Sequence, residues 1–217
     1  MSKFIFRALV CLVTIALVGA MAIMVYLQQP LFGALPQGER LARIKASSNY
    51  RDGAFQNETD TPFLTNGATE LSIRIDNFLA PKGVPRPKQL VPTEKTDLRS
   101  LDANEDLAIW LGHSSWYVQL GGKRILIDPV FSDHAAPLPG IVTAFAGTNI
   151  YSVKDLPEID VLLISHDHYD HVDYPTLEAI KPLVKQVVAG LGIGAHLESW
   201  GYHAIKTGCL AMRKPAR

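Results

Sequence analysis

The longest uninterrupted apolar stretch of the chain lies near its start, where Ala8 to Leu27 carry no charged side chain. About twenty residues of helix cross the roughly 30 Å hydrocarbon core of a bilayer. Lys3 and Arg7 precede the stretch with no acidic residue among them, which favours a cytoplasmic N-terminus and an exported remainder. Residues 1–28 are therefore predicted to form a transmembrane anchor, with the bulk of the chain on the periplasmic or extracytoplasmic side.

A cleaved signal segment is the alternative interpretation of the same residues. Ala20-Met21-Ala22 offers small residues around a cleavage point, and cleavage there would release a secreted protein. The apolar run continues beyond that point to Leu27, which favours the anchor.

Residues 29–106 lack a sustained apolar pattern and include the proline-rich stretch "APKGVPRPKQLVP". Such a segment buries little apolar area and usually wraps around a core instead of building one. It is predicted to be irregular.

An alternation of apolar and polar residues begins at Leu107 and predicts two strands separated by a break at Gly112. Leu107, Ile109 and Leu111 share a face of the first, and the period of two continues in the second through Trp116, Val118 and Leu120. Gly121-Gly122 predicts a tight turn that leads into a third strand, "KRILIDPVF". Trp110, Trp116 and Tyr117 are interpreted as residues packed in the sheet.

Strands and helices alternate in the remainder of this region. Val161–Ile164 form a short apolar run typical of a strand buried on both faces. The segment "DYPTLEAIKPLVK" predicts a helix that Pro182 limits or kinks, "QVVAG" a further buried strand, and "AHLESW" a short helix. Residues 107–203 are therefore predicted to form an α/β domain.

Composition excludes some classes of function. The 217 residues contain 21 Lys+Arg and 21 Asp+Glu, so no net positive field favours nucleic acid, and no nucleic-acid partner is expected. The two cysteines, Cys11 and Cys209, lie at opposite ends of the chain, which argues against a disulfide framework.

The segment "ISHDHYDH" holds three of the seven histidines directly after the predicted strand Val161–Ile164. Imidazole nitrogens and carboxylate oxygens are ligands that suit zinc and similar divalent ions. On an extended loop His166 and His168 project to one side and can bind one ion, while Asp170 and His171 turn toward a second. Two such ions about 3.5–4 Å apart can polarise a substrate and activate water. A polar loop with incidental histidines is the simpler alternative, and the spacing favours a metal site.

The motif H-x-H-x-D-H after an apolar strand resembles the signature of the metallo-β-lactamase superfamily. The stretches "WLGHSSWYVQLGGKRILIDPVFS" and "DVLLISHDHYDHVDYPTLEAI" resemble the branch that contains N-acylphosphatidylethanolamine-hydrolysing phospholipase D and ascorbate-phosphate lactonase-like enzymes. The resemblance covers roughly residues 49–200. It implies that residues 107–203 form the N-terminal half of an αββα sandwich with two zinc ions.

The resemblance also implies roles for individual residues. His166 and His168 would bind the first zinc ion, and Asp170 and His171 the second. Asp170 would also act catalytically, by orienting or deprotonating the attacking water. Asp128, which otherwise reads as a turn residue before Pro129, would hold a ligand imidazole from behind. His113 would lie near the site, although on its own it reads as a structural histidine.

Superfamily members draw further ligands from later strands, whereas this sequence ends at Arg217 and its tail, residues 204–217, diverges from the family. The expectation is therefore a chain truncated by a frameshift or a premature stop, whose own activity must be judged separately from that of the intact zinc-dependent hydrolase. For the intact enzyme the resemblance implies hydrolysis of a phosphodiester in an N-acylphosphatidylethanolamine-like phospholipid, beside the membrane that holds the anchor. A lactone or ester hydrolase acting on a soluble small molecule is one alternative, and a non-catalytic truncated remnant is another.

Overall fold

The computed structural model describes residues 3–57, 59, 62, 64–79, 86–203 and 205–208. The apolar N-terminal stretch forms a single helix, α1 (Lys3–Leu27), of 25 residues, and none of them is buried against the rest of the chain. By length and composition this helix is able to cross a membrane. Cys11 lies exposed on it.

The segment predicted to be irregular contains short regular elements. Helix α2 (Gly38–Lys45), the two-residue strands β1 (Tyr50–Arg51) and β2 (Ala54–Phe55), and helix α3 (Glu70–Leu79) follow α1 in turn. Helix α2 buries Arg40 and Ile44, which are four residues apart and so lie on one face. The prediction of a wholly irregular segment is wrong here because α2 docks on the domain that follows, through contacts that local sequence does not reveal.

A six-stranded mixed sheet forms the centre of the fold. Its strands lie side by side in chain order: β3 (Leu107–Gly112), β4 (Ser115–Leu120), β5 (Lys123–Ile127), β6 (Val161–Ile164), β7 (Val187–Gly190) and β8 (Ile205–Gly208). The β3–β4 and β4–β5 pairs are antiparallel, and the three later pairs are parallel. Helices α4 (Tyr174–Ile180) and α5 (Gly194–Ser199) connect the parallel strands. The predicted mixed α/β class is confirmed, and the sheet continues past residue 203 into β8.

The hydrophobic core lies where α4 and α5 cover the parallel strands. Leu126, Leu162 and Ile164 of the sheet and Leu177 and Ile180 of α4 are all completely buried. Burial of each such side chain contributes about 1.5–3 kcal/mol. The short apolar strand β6 is central because both of its neighbours are hydrogen-bonded to it.

The face of β4 that turns inward is the opposite of the one the sequence pattern indicates. Tyr117 and Gln119 are buried, whereas Trp116 and Leu120 are exposed. Gln119 tolerates burial because its amide oxygen accepts a hydrogen bond from Tyr117 Oη (2.8 Å) and its amide nitrogen donates to the Asp102 carbonyl (2.7 Å). The interpretation of Trp116 as a packed sheet residue is therefore wrong. Trp110 is likewise 47% exposed, and only Tyr117 of the three aromatic residues is in the core.

Candidate active site

The carboxyl ends of β5 and β6 lie at one edge of the sheet because these two strands are parallel and adjacent, with Ile127 paired to Leu163. The chain leaves β5 at Asp128 and leaves β6 at Ser165, so these residues meet directly beyond the strand ends. Ligand sites of open α/β sheets are usually found at this edge. The fold thus places Asp128 beside the histidine loop, residues 165–171.

The histidine loop brings its three imidazoles together. The backbone N–H of His171 donates to the carbonyl of His168 (2.9 Å), which turns the chain back on itself. The ring centroid of His166 lies 4.0 Å from that of His171 and 4.6 Å from that of His168. Burial, with the nearby His171 and His168, holds the pKa of His166 below its ordinary value. This ring is therefore neutral near pH 7 and keeps a nitrogen lone pair.

Asp128 holds the histidine loop in place by accepting hydrogen bonds from it. Its carboxylate is almost fully buried and accepts hydrogen bonds from the Ser165 backbone N–H (2.8 Å), Ser165 Oγ (2.5 Å) and His171 Nδ1 (2.9 Å). Because Nδ1 of His171 donates to this carboxylate, Nε2 is left with its lone pair. Asp128 has a positive φ of 43°, a conformation that Asp adopts more readily than most residues.

Asp170 lies on the open side of the cluster, between two histidines. Its Oδ2 is 3.1 Å from Nε2 of His113 and 3.7 Å from Nε2 of His171. Its backbone carbonyl accepts a hydrogen bond from Ser114 Oγ (2.9 Å). Burial acts to raise the pKa of Asp170, but the hydrogen bond from His113 and the nearby His171 outweigh it and hold this pKa below its ordinary value. The carboxyl group is therefore ionised at neutral pH.

The donor types in this cluster fit a divalent metal ion, but the side chains do not yet converge on one. Three imidazoles and a carboxylate come from one loop, and such ligands suit zinc and related ions. Within the part of the chain that the structure describes, no group of three or more His, Cys, Asp or Glu side chains is arranged so that it could hold a metal ion as it stands. Binding would require rotation of side chains such as the exposed His168. The ligand roles of His166, His168, Asp170 and His171 stay predictions.

Two features of the site carry no clear signal in the sequence. Ser165 links Asp128 to the loop, and its Oγ is also 3.0 Å from Nδ1 of His166. Its position between a buried strand and the first histidine is the one hint of that role. The second is a cavity of about 420 Å³ that begins at His113 and is lined largely by apolar side chains, Trp110, Val130, Val142 and Phe145 among them. No periodic pattern marks these residues as neighbours.

Comparison with known proteins adds to this geometry. Residues 108–212 match the family described as a beta-lactamase superfamily domain. This part of the chain belongs to the metallo-β-lactamase superfamily. The resemblance inferred from the H-x-H-x-D-H motif is therefore confirmed.

Three relatives illustrate the match. The chain is 35% identical over 169 residues to an uncharacterized protein of Mycobacterium bovis, covering 76% of this chain and 45% of the relative. It is 37% identical over 98 residues to N-acyl-phosphatidylethanolamine-hydrolyzing phospholipase D 1 of Caenorhabditis elegans, covering 43% of this chain and 26% of that protein. Over 63 residues it is 38% identical to a UPF0173 metal-dependent hydrolase of Caldivirga maquilingensis, covering 29% and 22%. The chain spans less than half the length of these relatives.

Proposed function

We propose that this chain provides the metal-binding half of a hydrolase that cleaves a phosphodiester bond in an N-acylphosphatidylethanolamine-like phospholipid. The observation that carries the proposal is the clustering of the His166, His168 and His171 rings at the edge of the sheet, 4.0–4.6 Å apart. Superfamily membership and the name of the Caenorhabditis elegans relative support it. The whole protein would form an αββα sandwich, of which the described sheet and helices are one part.

His166 and His168 would hold one zinc ion, and Asp170 and His171 a second. Zinc bound there would supply Lewis acidity toward a phosphoryl or carbonyl oxygen. Asp128 would keep His171 in the tautomer that can act as a ligand, through the 2.9 Å hydrogen bond to Nδ1.

Asp170 would accept the proton of the attacking water. Its pKa is held below the ordinary value, so the carboxylate is in the form that accepts a proton. Nε2 of His113 lies 3.1 Å from Oδ2 of Asp170 and would orient this carboxylate. The accepted proton would then be shared between the two groups in their hydrogen bond. The neutral His166 would remain a ligand throughout.

A lipid substrate is supported by two features outside the histidine loop. The cavity at His113 is lined largely by apolar side chains, which favours an apolar substrate portion over a small polar metabolite. Helix α1 would cross the membrane and hold the site on the exported side, beside lipid. A soluble lactone or ester as substrate has no such support in the described residues.

A chain without turnover is the second candidate, because the described donors do not converge on a metal position. The test uses the full chain in detergent, dialysed against zinc and analysed by inductively coupled plasma mass spectrometry. Turnover is then measured on N-acylphosphatidylethanolamine and on a panel of lactones. His166→Ala and His168→Ala are compared with His203→Ala, which removes an exposed histidine outside the loop.

The proposal predicts bound zinc that both loop variants lose and the control keeps, together with cleavage of the phospholipid in preference to lactones. Zinc bound without turnover would support the non-catalytic alternative. Zinc retained equally by all three variants would contradict the metal site itself, and preferential lactone cleavage would contradict the substrate.

A further inference from the structure

A short apolar hairpin follows β5 and borders the cavity. We call residues 133–144 the apolar hairpin. Its arms are joined by a bridge between His134 and Thr143, a hydrogen bond from the Ala135 N–H to the Val142 carbonyl (3.0 Å), and another from the Ala144 N–H to the Asp133 carbonyl (3.3 Å). The turn closes where the Ile141 N–H donates to the Leu138 carbonyl (3.3 Å). The two arms are thus hydrogen-bonded to each other, and residues 138–141 form the tip between them.

The tip presents apolar side chains to the outside. Leu138, Ile141 and Val142 are 48%, 49% and 53% exposed, and Phe145, directly after the hairpin, is 41% exposed. From Ala135 to Asn149 the sequence has no charged residue. Val142 also has a positive φ of 51°, which is costly for a β-branched residue. Exposed apolar groups clustered in this way around one turn mark a contact surface.

The hairpin is bonded to the end of the apolar helix α1. Tyr26, in the last turn of α1, donates a hydrogen bond from its Oη to the carbonyl of Pro137, next to the tip (2.7 Å). Tyrosine is enriched at membrane–water interfaces, where its ring is in the apolar layer and its hydroxyl is wet. The exposed apolar surface of α1 and that of the hairpin are therefore joined at one place.

A cation lies beside the hairpin on its other arm. Arg86 donates from Nη2 to Thr143 Oγ1 (2.8 Å), which holds its guanidinium against the hairpin. Arginine beside an apolar insertion suits the phosphate layer of a bilayer, since the guanidinium can bind phosphate oxygens while the apolar groups lie deeper. The apolar tip suits the hydrocarbon layer, and the tyrosine and the flanking arginine suit the interface above it. Together they fit the surface of a lipid bilayer.

We propose that the apolar hairpin inserts into the surface of the same bilayer that α1 crosses, so that the cavity behind it opens toward membrane lipid. This inference rests on the proposed membrane crossing by α1 and is independent of the hydrolase chemistry. The partner is a phospholipid bilayer, and the inserted groups are Leu138, Ile141 and Val142.

The test measures the depth of a fluorescent probe in vesicles of phosphatidylcholine and phosphatidylglycerol that contain spin-labelled lipids. The full chain with Cys11→Ser and Cys209→Ser receives a single probe site, Ile141→Cys, and is labelled with an environment-sensitive dye. Leu120→Cys is the matched control. Leu120 is an apolar residue, 57% exposed, and it pairs with the first residue of β5, whereas the hairpin follows the last one. A second chain carries only Cys209→Ser and is labelled at Cys11, so that it reports on the depth of α1.

The expected result is quenching by spin-labelled lipid at Cys11 and at position 141, several-fold stronger than at position 120. Quenching at Cys11 without quenching at 141 would overturn the inference while leaving the anchor intact. Protection of position 141 from an aqueous quencher without lipid quenching would show that protein covers the hairpin, which also overturns it. Equal quenching at 141 and 120 would indicate adsorption without orientation and would overturn it as well. Absence of quenching at Cys11 would refute the anchor and this inference together, whereas zinc content and turnover test the hydrolase separately.

Discussion

The substitution Asp128→Asn isolates the part that one carboxylate plays in the site. The asparagine keeps the shape and keeps one oxygen for the Ser165 N–H. An amide NH₂ group then faces His171 Nδ1 and Ser165 Oγ, where the second carboxylate oxygen had accepted two hydrogen bonds. The hydroxyl can rotate to accept from this group, but the imidazole can accept only if its proton moves from Nδ1 to Nε2.

The size of the effect is set by the hydrogen bond between His171 and Asp128, which asparagine cannot reproduce without a tautomer change. A hydrogen bond to a charged group contributes about 1.5–3 kcal/mol, and we expect the free energy of unfolding to fall by about that amount. Because Nε2 of His171 would then carry the proton, we also expect zinc affinity to fall roughly 10- to 100-fold.

Two measurements check these expectations. Denaturant unfolding followed by fluorescence gives the change in stability, and long-range ¹H–¹⁵N correlation spectra of the histidine rings report the tautomer of His171. Asp173→Asn is the matched control, since Asp173 is completely buried and accepts hydrogen bonds from the Ser132 N–H, from Ser132 Oγ (2.8 Å) and from Thr176 Oγ1.

The control should lose similar stability and leave the His171 tautomer unchanged, because Asp173 bonds to none of the histidines in the loop. An unchanged His171 spectrum in Asp128→Asn would refute the reasoning. So would the same spectral change in both variants, since it would then reflect general loosening of the fold.

Three further predictions concern stability. Leu162→Ala removes a completely buried side chain at the centre of the sheet and should cost about 2–5 kcal/mol in denaturant unfolding, whereas Leu120→Ala, at an exposed position, should stay within about 0.5 kcal/mol. Gly33→Ala adds a Cβ against the ring of His196 in α5, at a φ of 62°, and should detach the segment between α1 and α2 from α5. This would be seen as faster hydrogen exchange in residues 30–40, and unchanged exchange would contradict the close approach. Burial holds the pKa of His196 below its ordinary 6.5, so the unfolded chain binds the proton more readily, and stability should be full above about pH 6.5 and fall as the pH drops below it. His196→Gln should flatten this pH dependence, and an unaltered profile would assign it to another group.

Local patterns are sufficient to predict the strands and helices that flank the site. The apolar run Val161–Ile164 forms β6 with the predicted bounds, and the turn at Gly121-Gly122 joins β4 to β5, with both glycines at positive φ. The helix after the histidine loop begins at Tyr174 and ends at Ile180, two residues before Pro182, as the limiting role of that proline predicts. These elements depend on residues close in sequence, which is why their patterns can be recognised.

Features that depend on distant residues cannot be predicted in this way. The inward face of β4 is decided by carbonyl groups of Asp102 and Glu105 that satisfy Gln119, more than a dozen residues away. The apolar hairpin carries no periodic signal, and it is held by hydrogen bonds from the distant residues Tyr26 and Arg86. The family resemblance implies that Asp128 lies behind the histidine loop, but no pattern in the sequence shows that their strands are neighbours or that Ser165 connects them.

Three contacts tie the sheet domain to the end of α1 and to the segment that follows it. They restrict how the domain can rotate relative to α1. Tyr26 bonds to Pro137, Trp200 Nε1 donates to the carbonyl of Pro30 (2.7 Å), and the buried Arg40 pairs with Glu198. The connection is therefore braced at three successive points, unlike a free tether. In a bilayer that holds α1, the edge of the sheet that carries the histidine loop would keep one height and one orientation, and the lipid substrate of the proposed hydrolase would reach it by lateral diffusion within the leaflet.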